Sequence, residues 1–245
     1  MNRGFYGQDL ASLHDRHYSD FVDRAAPEAL RMLRAAGVKN GMVCDLGCGG
    51  GQLAASLLRA GYDVIGMDLS AAMIAIARKR APGARFIQGS VADVDLPACA
   101  AAIAIGEVFN YLPSQNAVLR AFRNIYHALR SGGILLFDIK EAPATPTSGI
   151  AARVGKDWAV IAEIDEDPAR KKLTRTIHSF RRSGRHYRRQ IEIHHVRIYP
   201  VAEVLRLLRC AGFRARSYAG YGRHKLGPER RVLLAIKPAN NELQP

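Results

Sequence analysis

Val43-Cys44-Asp45-Leu46-Gly47-Cys48-Gly49-Gly50-Gly51 is the stretch whose reading decides the fold of this chain. Residues 42–46 form an apolar run that reads as a buried strand, with an acidic residue near its end. A glycine-rich turn follows and opens a helix over 51–60, closed by Gly61. Glycines let a backbone turn sharply and approach a ligand closely, and the helix N-terminus behind them offers free amides. A second acid, Asp68, ends the next apolar run, 21 residues after Gly47. In a nucleotide-binding α/β half this is where a ribose-binding carboxylate belongs. A dinucleotide fingerprint wants a third glycine where Gln52 stands, so that match is incomplete. Asp45, two residues before the first glycine, would repel a pyrophosphate but suits a ligand that carries a cation.

Outward from this segment, short apolar runs alternate with amphipathic ones. Residues 63–67, 85–88, 100–105 and 134–138 read as further strands, with Ser70 capping a helix through Arg80 and an amphipathic helix over 114–130. Ser131-Gly132-Gly133 breaks that helix. Upstream, 9–36 has helical spacing that Pro27 is expected to split. Strands alternating with helices mean a mostly parallel sheet with right-handed crossovers. After residue 140 the texture changes. Residues 141–149, with Pro143 and Pro146, read as a loop, and 158–165, 173–181 and 187–199 read as three antiparallel strands turning near Pro168 and at Ser183-Gly184. A helix over 201–211 and strands over 213–218 and 231–236 would then complete the first sheet. The expected organisation is a core with an N-terminal helical lid over 1–140, an antiparallel insert over 141–199, and completion of the core over 200–245.

The chain has 245 residues, 48% of them hydrophobic and 24% charged, which suits a packed core and argues against disorder. No apolar run approaches the ~18–20 residues of a membrane span. Met1-Asn2-Arg3-Gly4 lacks a following apolar segment, so a secretory signal is not expected. Cys44, Cys48, Cys99 and Cys210 form no metal-ligand spacing, so neither a metal site nor a disulfide frame is expected, and four reduced thiols in the cytoplasm is the plain reading. The 36 Lys and Arg residues against 22 Asp and Glu give a formal charge of +14. The excess is uneven, +3 over residues 1–140 and +11 over 141–245. Such asymmetry raises nucleic acid, anionic surfaces or acidic substrates as partners without choosing among them.

Asp45-Leu46-Gly47-Cys48-Gly49-Gly50-Gly51 resembles the first motif of the class I S-adenosylmethionine-dependent methyltransferases, acid-x-Gly-x-Gly-x-Gly. Met67-Asp68-Leu69-Ser70 fits their second motif and Phe86-Ile87-Gln88-Gly89-Ser90 their third, with Ser90 where many members place an Asp. Tyr6 through Tyr18 resembles the leader that folds over the cofactor in small-molecule members, with His14 where tyrosine is common. The resemblance implies a Rossmann-like α/β fold: a seven-stranded, mostly parallel sheet with helices on both faces plus a small antiparallel insert. It also implies S-adenosyl-L-methionine as cofactor. Asp68 would bind the ribose hydroxyls and Leu69 would pack on adenine. Further contacts are implied at Tyr6, Tyr18, Asp45, Gly47, Cys48, Gly49, Gln52, Met73, Gly89, Ser90, Val91, Gly106 and Glu107.

In the same family the loop after the fourth strand faces the methyl group. Here it reads Gly106-Glu107-Val108-Phe109-Asn110-Tyr111 and lacks the Asp/Asn-Pro-Pro-Tyr arrangement of members that methylate nucleobase amines. Glu107 is a candidate base or cofactor contact, and Asn110 and Tyr111 would orient the acceptor. The alternation along 187–195 implies one wet and one partly buried face, and His178, His194 and His195 are candidate bases, with His194 placed in the catalytic set. The expected activity is methyl transfer to nitrogen or oxygen of a small molecule, an anionic one being an option. The insert would shape the acceptor pocket or a homodimer contact. The alternatives are a nucleic-acid methyltransferase, using basic residues from Arg170 to Arg189 on phosphates, and a non-catalytic cofactor-binding scaffold.

Overall fold

The strand–helix alternation read from residues 1–140 is realised in the structure, a computed structural model that describes residues 5–141 and 148–239. Helices α1 (Gln8–His17) and α2 (Asp20–Ala35) precede β1 (Met42–Leu46), α3 (Gln52–Arg59), β2 (Asp63–Asp68), α4 (Ala71–Arg80), β3 (Arg85–Gln88) and β4 (Cys99–Ala104). A 3₁₀ turn at Val108–Tyr111 leads to α5 (Gln115–Ala128) and β5 (Leu129–Lys140). Four strands follow: β6 (Gly149–Gly155), β7 (Trp158–Asp167), β8 (Lys172–Ser183) and β9 (His186–Arg197). The chain ends with α6 (Val201–Cys210), β10 (Arg214–Tyr218), the short pair β11 (Gly220–Tyr221) and β12 (His224–Lys225), and β13 (Arg230–Ile236).

The larger sheet has the order β10-β13-β5-β4-β1-β2-β3. Its strands are parallel except β13, which runs antiparallel to both β5 and β10. The chain steps from β1 outward through β2 and β3, then returns to β4 on the other side of β1. Connections therefore diverge at β1 and β4 and leave a crevice at their carboxyl ends, where such sheets bind ligands. Both faces are covered: Val43, Ile103 and Leu136 pack with α2 and α3 residues such as Leu33 and Leu57. Cys44, Ala102 and Phe137 pack with α5 and α6 residues such as Phe122 and Leu207. Burial on both sides is why these strands read as continuous apolar runs. Ser70 and Ser114 cap α4 and α5, each Oγ accepting an amide N–H three residues on, from Met73 and Ala117, at 3.1 Å.

Several boundaries differ from the sequence reading, each for a physical reason. The helical break falls at Tyr18-Ser19, and Pro27 lies inside α2. One lost ladder bond is offset there by the fully buried face of Ala25, Ala29 and Leu33. The helix expected over 114–130 ends at Ala128, because β5 begins early through a register shift between its Leu129 and Ile134 pairings, with Gly132 at φ 72°. The second sheet has four strands in the order β6-β7-β8-β9, not three. Strand β6 lacks an apolar–polar alternation because neither of its faces is buried; Ile150 is 74% and Val154 76% exposed. The expected loop with Pro143 and Pro146 lies outside the described residues. In β9 the polar set turns inward. Glu192, His194 and Val196 are buried, whereas Ile191 and Ile193 are 51% and 57% exposed.

Helix α1 straps the two sheets together over the crevice. Leu10 and Leu13 pack on Val160 and Ile177 of the antiparallel sheet. Buried Asp9 pairs with Arg181 and Arg188, and the Gly7 amide donates to Glu192 Oε1 at 2.9 Å. On the other side Asp15 pairs with Arg80 of α4 and accepts from Gln52 at 3.1 Å. Among the described residues no helix is long and apolar enough to cross a membrane, and no cluster of His, Cys, Asp and Glu has metal-holding geometry. The four thiols are free. The Arg188 hydrogen bond, against opposing burial, holds the Asp9 carboxyl below its usual range. Asp9→Asn should therefore speed amide exchange across residues 8–17 while leaving exchange in β1 and β4 unchanged. Equal acceleration in both places would show that α1 is not a separate strap.

Candidate active site

The carboxyl ends of β1, β2 and β4 open into one cavity of about 320 Å³. The chain leaves β1 through a turn that needs glycine. Gly47 has φ 66°, and a Cβ there would stand 2.5 Å from Val108 Cγ2. Gly51 has φ 81° and begins α3, with Ala77 3.0 Å from where its Cβ would be. The Cys48 amide donates to Met67 O at 2.8 Å, which ties this turn to the end of β2. Asp68 completes the frame: one oxygen accepts from the Gly49 amide at 3.0 Å and the other from the Ser70 amide at 2.8 Å. Gly49 and Gly106 line the cavity, and each has open space where a Cβ would be.

Asp45 lies just behind the turn, 2% exposed, and its Oδ2 has no hydrogen-bond partner. Burial, with the neighbouring Asp68, pushes its carboxyl up to about 7. Burial also raises Asp68, against the amide bonds that favour its ionised form. Two carboxylates at adjacent strand ends, one with an orphaned oxygen, beside a glycine turn, fit a ligand that bears both a diol and positive charge. A pyrophosphate would meet repulsion there.

The opposite wall comes from distant segments. After β4, Gly106 and Glu107 donate their amides to the two oxygens of buried Asp138, at 2.7 and 3.1 Å. Asp138 also accepts from Tyr221 Oη at 2.7 Å and from Arg230 Nη1 at 3.1 Å. This holds Glu107 at φ 62°, a region costly for a side chain other than glycine's. The Glu107 carboxylate is paired with Arg230 and with Arg175, the latter at 3.0 Å. Burial alone would raise Glu107, but the two guanidiniums outweigh it and hold the carboxyl below its usual range. Arg175 also donates to Tyr111 Oη at 3.3 Å, and the Tyr111 and Tyr6 hydroxyls are hydrogen-bonded to each other. Burial raises both tyrosines. Tyr6, like Glu107, has a positive φ, 50°. His14 lines the cavity between Tyr6 and Tyr18, with ring centroids at 4.9 and 5.6 Å, and burial lowers it to about 4.

Of the residues singled out from the sequence, Tyr6, Tyr18, Gly47, Cys48, Gly49, Gln52, Asp68, Leu69, Met73, Gly89, Ser90, Val91, Gly106, Glu107 and Tyr111 line this cavity. Asp45, Asn110 and His194 do not stand among the lining residues. Asn110 is fully buried and braces the loop, donating to Lys140 O at 2.9 Å and to Arg197 O at 2.6 Å. His194 is 1% exposed, bonded to Glu192 at 3.1 Å, and packed edge-on behind Phe5, Tyr6 and Tyr111. His178 and His195 share the outer face of the sheet with Ile191 and Ile193. The sequence reading missed Arg230, Phe21 and the cavity position of Arg175. The only advance signal for Arg175 was its place in the basic run.

A family model described as a methyltransferase domain matches residues 43–133, the span that begins at β1 and contains both carboxylates. Residues 43–133 thus form a methyltransferase domain, on the fold of the S-adenosylmethionine-dependent methyltransferases. The YqeM protein of Bacillus subtilis (strain 168) is 28% identical to the methyltransferase over 221 residues, which is 84% of this chain and 85% of its own. An S-adenosylmethionine-dependent methyltransferase from Clostridium acetobutylicum has the same fold, with a TM-score of 0.80 at 19% identity over 94% of this chain and 98% of its own. The sugar N-methyltransferase KedS8 from Streptoalloteichus sp. also shares the methyltransferase's fold, with a TM-score of 0.83 at 21% identity over 96% of this chain and 95% of its own.

Two outcomes test this site. Asp68→Ala should weaken S-adenosylmethionine binding by roughly 1.5–3 kcal/mol, measured calorimetrically, with the fold retained; unchanged affinity would misplace the site. Asp45 has a folded pKa near 7, above the ~3.9 of an unfolded chain. The folded state thus holds the proton more tightly, and the associated stability is full below the unfolded value and lost as pH rises through 7. Asp45→Asn should accordingly stabilise the ligand-free methyltransferase more at pH ~8 than at pH ~5 in denaturation midpoints.

Proposed function

We propose that this methyltransferase transfers its methyl group to a nitrogen or oxygen atom of a small-molecule acceptor. The acceptor would be held between α1, the 3₁₀ turn and the inner face of the antiparallel sheet, with 1–140 and 200–245 acting as the cofactor-binding core and 141–199 as the acceptor-side insert. The observation that carries this reading is the enclosure of the cavity by Phe5, Tyr6, Phe21, Tyr111 and Arg175. These residues come from four separate segments that meet over the crevice. An aromatic wall of that kind excludes water and holds a small ligand in a fixed pose, and orientation can supply a large part of the rate. The fold it shares with a sugar N-methyltransferase agrees with an acceptor of that size.

When bound, S-adenosylmethionine supplies a methyl carbon made electrophilic by its sulfonium charge. Asp68 would hold the ribose hydroxyls through its remaining lone pairs, and Leu69, 46% exposed, offers an apolar surface to adenine. The Gly47–Gly51 turn leaves room for the methionine portion, and Asp45 favours positive charge beside that turn. Glu107, fixed by Asp138, adds a second negative group on the far wall.

The basic segment does not favour a polynucleotide acceptor. Arg170, Lys171, Arg175, Arg181, Arg182 and Arg188 are each paired with an acidic side chain, so few remain to track phosphates. Incubating the protein with tritiated S-adenosylmethionine and separate pools of small metabolites, transfer RNA and duplex DNA tests the reading. Label should enter only the small-molecule pool. Label in a nucleic acid would overturn the choice of acceptor, and tight cofactor binding with no transfer to any pool would favour a scaffold.

A further inference from the structure

We propose that the acceptor atom is a carboxylate oxygen, held by Arg175 and Arg230, and that the product is a methyl ester. This inference rests on the small-molecule reading above and narrows it. The acceptor side of the cavity is lined by two guanidiniums, Arg175 and Arg230, and one carboxylate, Glu107, which is paired with both. Asp138, the other partner of Arg230, is fully buried behind the loop and does not line the cavity. The network as a whole is balanced, two guanidiniums against Glu107 and Asp138, but the part of it that lines the cavity is two guanidiniums and one carboxylate. An acceptor carboxylate would meet guanidinium donors on that lining, whereas a protonated amine would bring a cation against two guanidiniums in a desolvated site. Arg175 lines the cavity, is 23% exposed, and uses Nη1 on Tyr111 and Nη2 on Glu107, so its five-donor fork has N–H groups beyond those two bonds. Such a fork matches a carboxylate.

The polar residues lining this wall also suit a nucleophile that has no proton to lose. Both guanidiniums grip Glu107, which weakens it as a base. The Tyr6 and Tyr111 hydroxyls are engaged with each other and with Arg175. His14 is enclosed by Tyr6 and Tyr18, and at about 4 it would be a feeble proton acceptor near neutrality. A hydroxyl or an ammonium acceptor must shed a proton around transfer, but a carboxylate need not. Its oxygen bonds to the methyl carbon as the carbon–sulfur bond breaks, and the sulfur keeps that electron pair. The products are a neutral ester and a neutral thioether, with no proton released.

The experiment uses tritiated S-adenosylmethionine with a panel of aryl and alkyl carboxylic acids, their primary amides, and amino sugars. Label should appear with the acids and not with their amides, and mild base should release it as volatile methanol. Base-stable label on amines or hydroxyls, or no transfer to any acid while the cofactor binds, overturns the carboxylate assignment. Failure to bind the cofactor would instead overturn the methyltransferase reading beneath it. Arg175→Gln should lower kcat/KM for the acid about 10- to 150-fold, the cost of losing a hydrogen bond to a charged group. It should weaken calorimetric binding of the acid to the S-adenosylhomocysteine complex in parallel, with S-adenosylhomocysteine affinity unchanged within about threefold. If that variant does not fold, Arg175→Lys keeps the charge and should retain ester formation with a raised KM for the acid. An unchanged KM for the acid in Arg175→Lys, or an unchanged acid affinity in a folded Arg175→Gln, overturns the role of Arg175.

Discussion

One buried carboxylate organises the far wall of the site. Asp138, on the interior strand β5, has 0% of its surface exposed and accepts from two backbone amides, a tyrosine hydroxyl and a guanidinium. Burying an ion costs several kcal/mol unless its lone pairs are satisfied, and Asp138 meets that condition with four donors. In satisfying itself it draws in Gly106 and Glu107 after β4, Tyr221 from the β11–β12 pair, and Arg230 from β13. Glu107 then projects from a strained backbone toward Arg175 of the antiparallel sheet. A single charge network thus joins both sheets, and the acceptor wall follows from it.

The same logic accounts for the uneven charge of the chain. Acids of the nearly balanced first half meet bases of the basic second half: Asp9 with Arg181 and Arg188, Asp20 with Arg153, Glu107 with Arg175 and Arg230, and Asp138 with Arg230. The surplus of the insert is in large part adhesive between segments. Exposed members such as Arg153 with Asp20 contribute little individually. The buried acids, Asp9, Glu107 and Asp138, carry the specificity, because any other register would leave them without a counter-charge in a desolvated place.

How much of this was legible beforehand follows from the range of each interaction. The glycine turn, Asp45, Asp68 and the Ser70 cap are local. Their spacing along the chain is their geometry, and the strand order that places them at a crevice follows from alternation. Arg175 and Arg230 reach the cavity from β8 and β13, and nothing adjacent in the sequence marks them as facing Glu107. Alternation in β9 shows that two faces exist but not which is inner. Glu192 and His194 are inside because Glu192 accepts the Gly7 amide and His194 is packed by three aromatic rings, all from other segments. Pro27 marked a helix break that burial of α2 overrode, and β6 gave no pattern because nothing covers it.

The wall that encloses the site is also the one held least firmly, and function requires this. Helix α1 is fixed to the antiparallel sheet by a small apolar contact, Leu10 and Leu13 on Val160 and Ile177, and by Asp9 with two arginines whose side chains are 41% and 53% exposed. The parallel sheet beneath is buried on both faces across β1, β4 and β5. Detaching α1 returns Asp9 to water as it breaks two ion pairs whose arginine ends are already half-exposed, and uncovers one modest hydrophobic patch, far less than disturbing the sheet. An enclosed cavity that must admit two ligands and release two products needs one wall that opens at low cost while the catalytic frame stays rigid. The division between polar strapping above and close-packed strands below provides both.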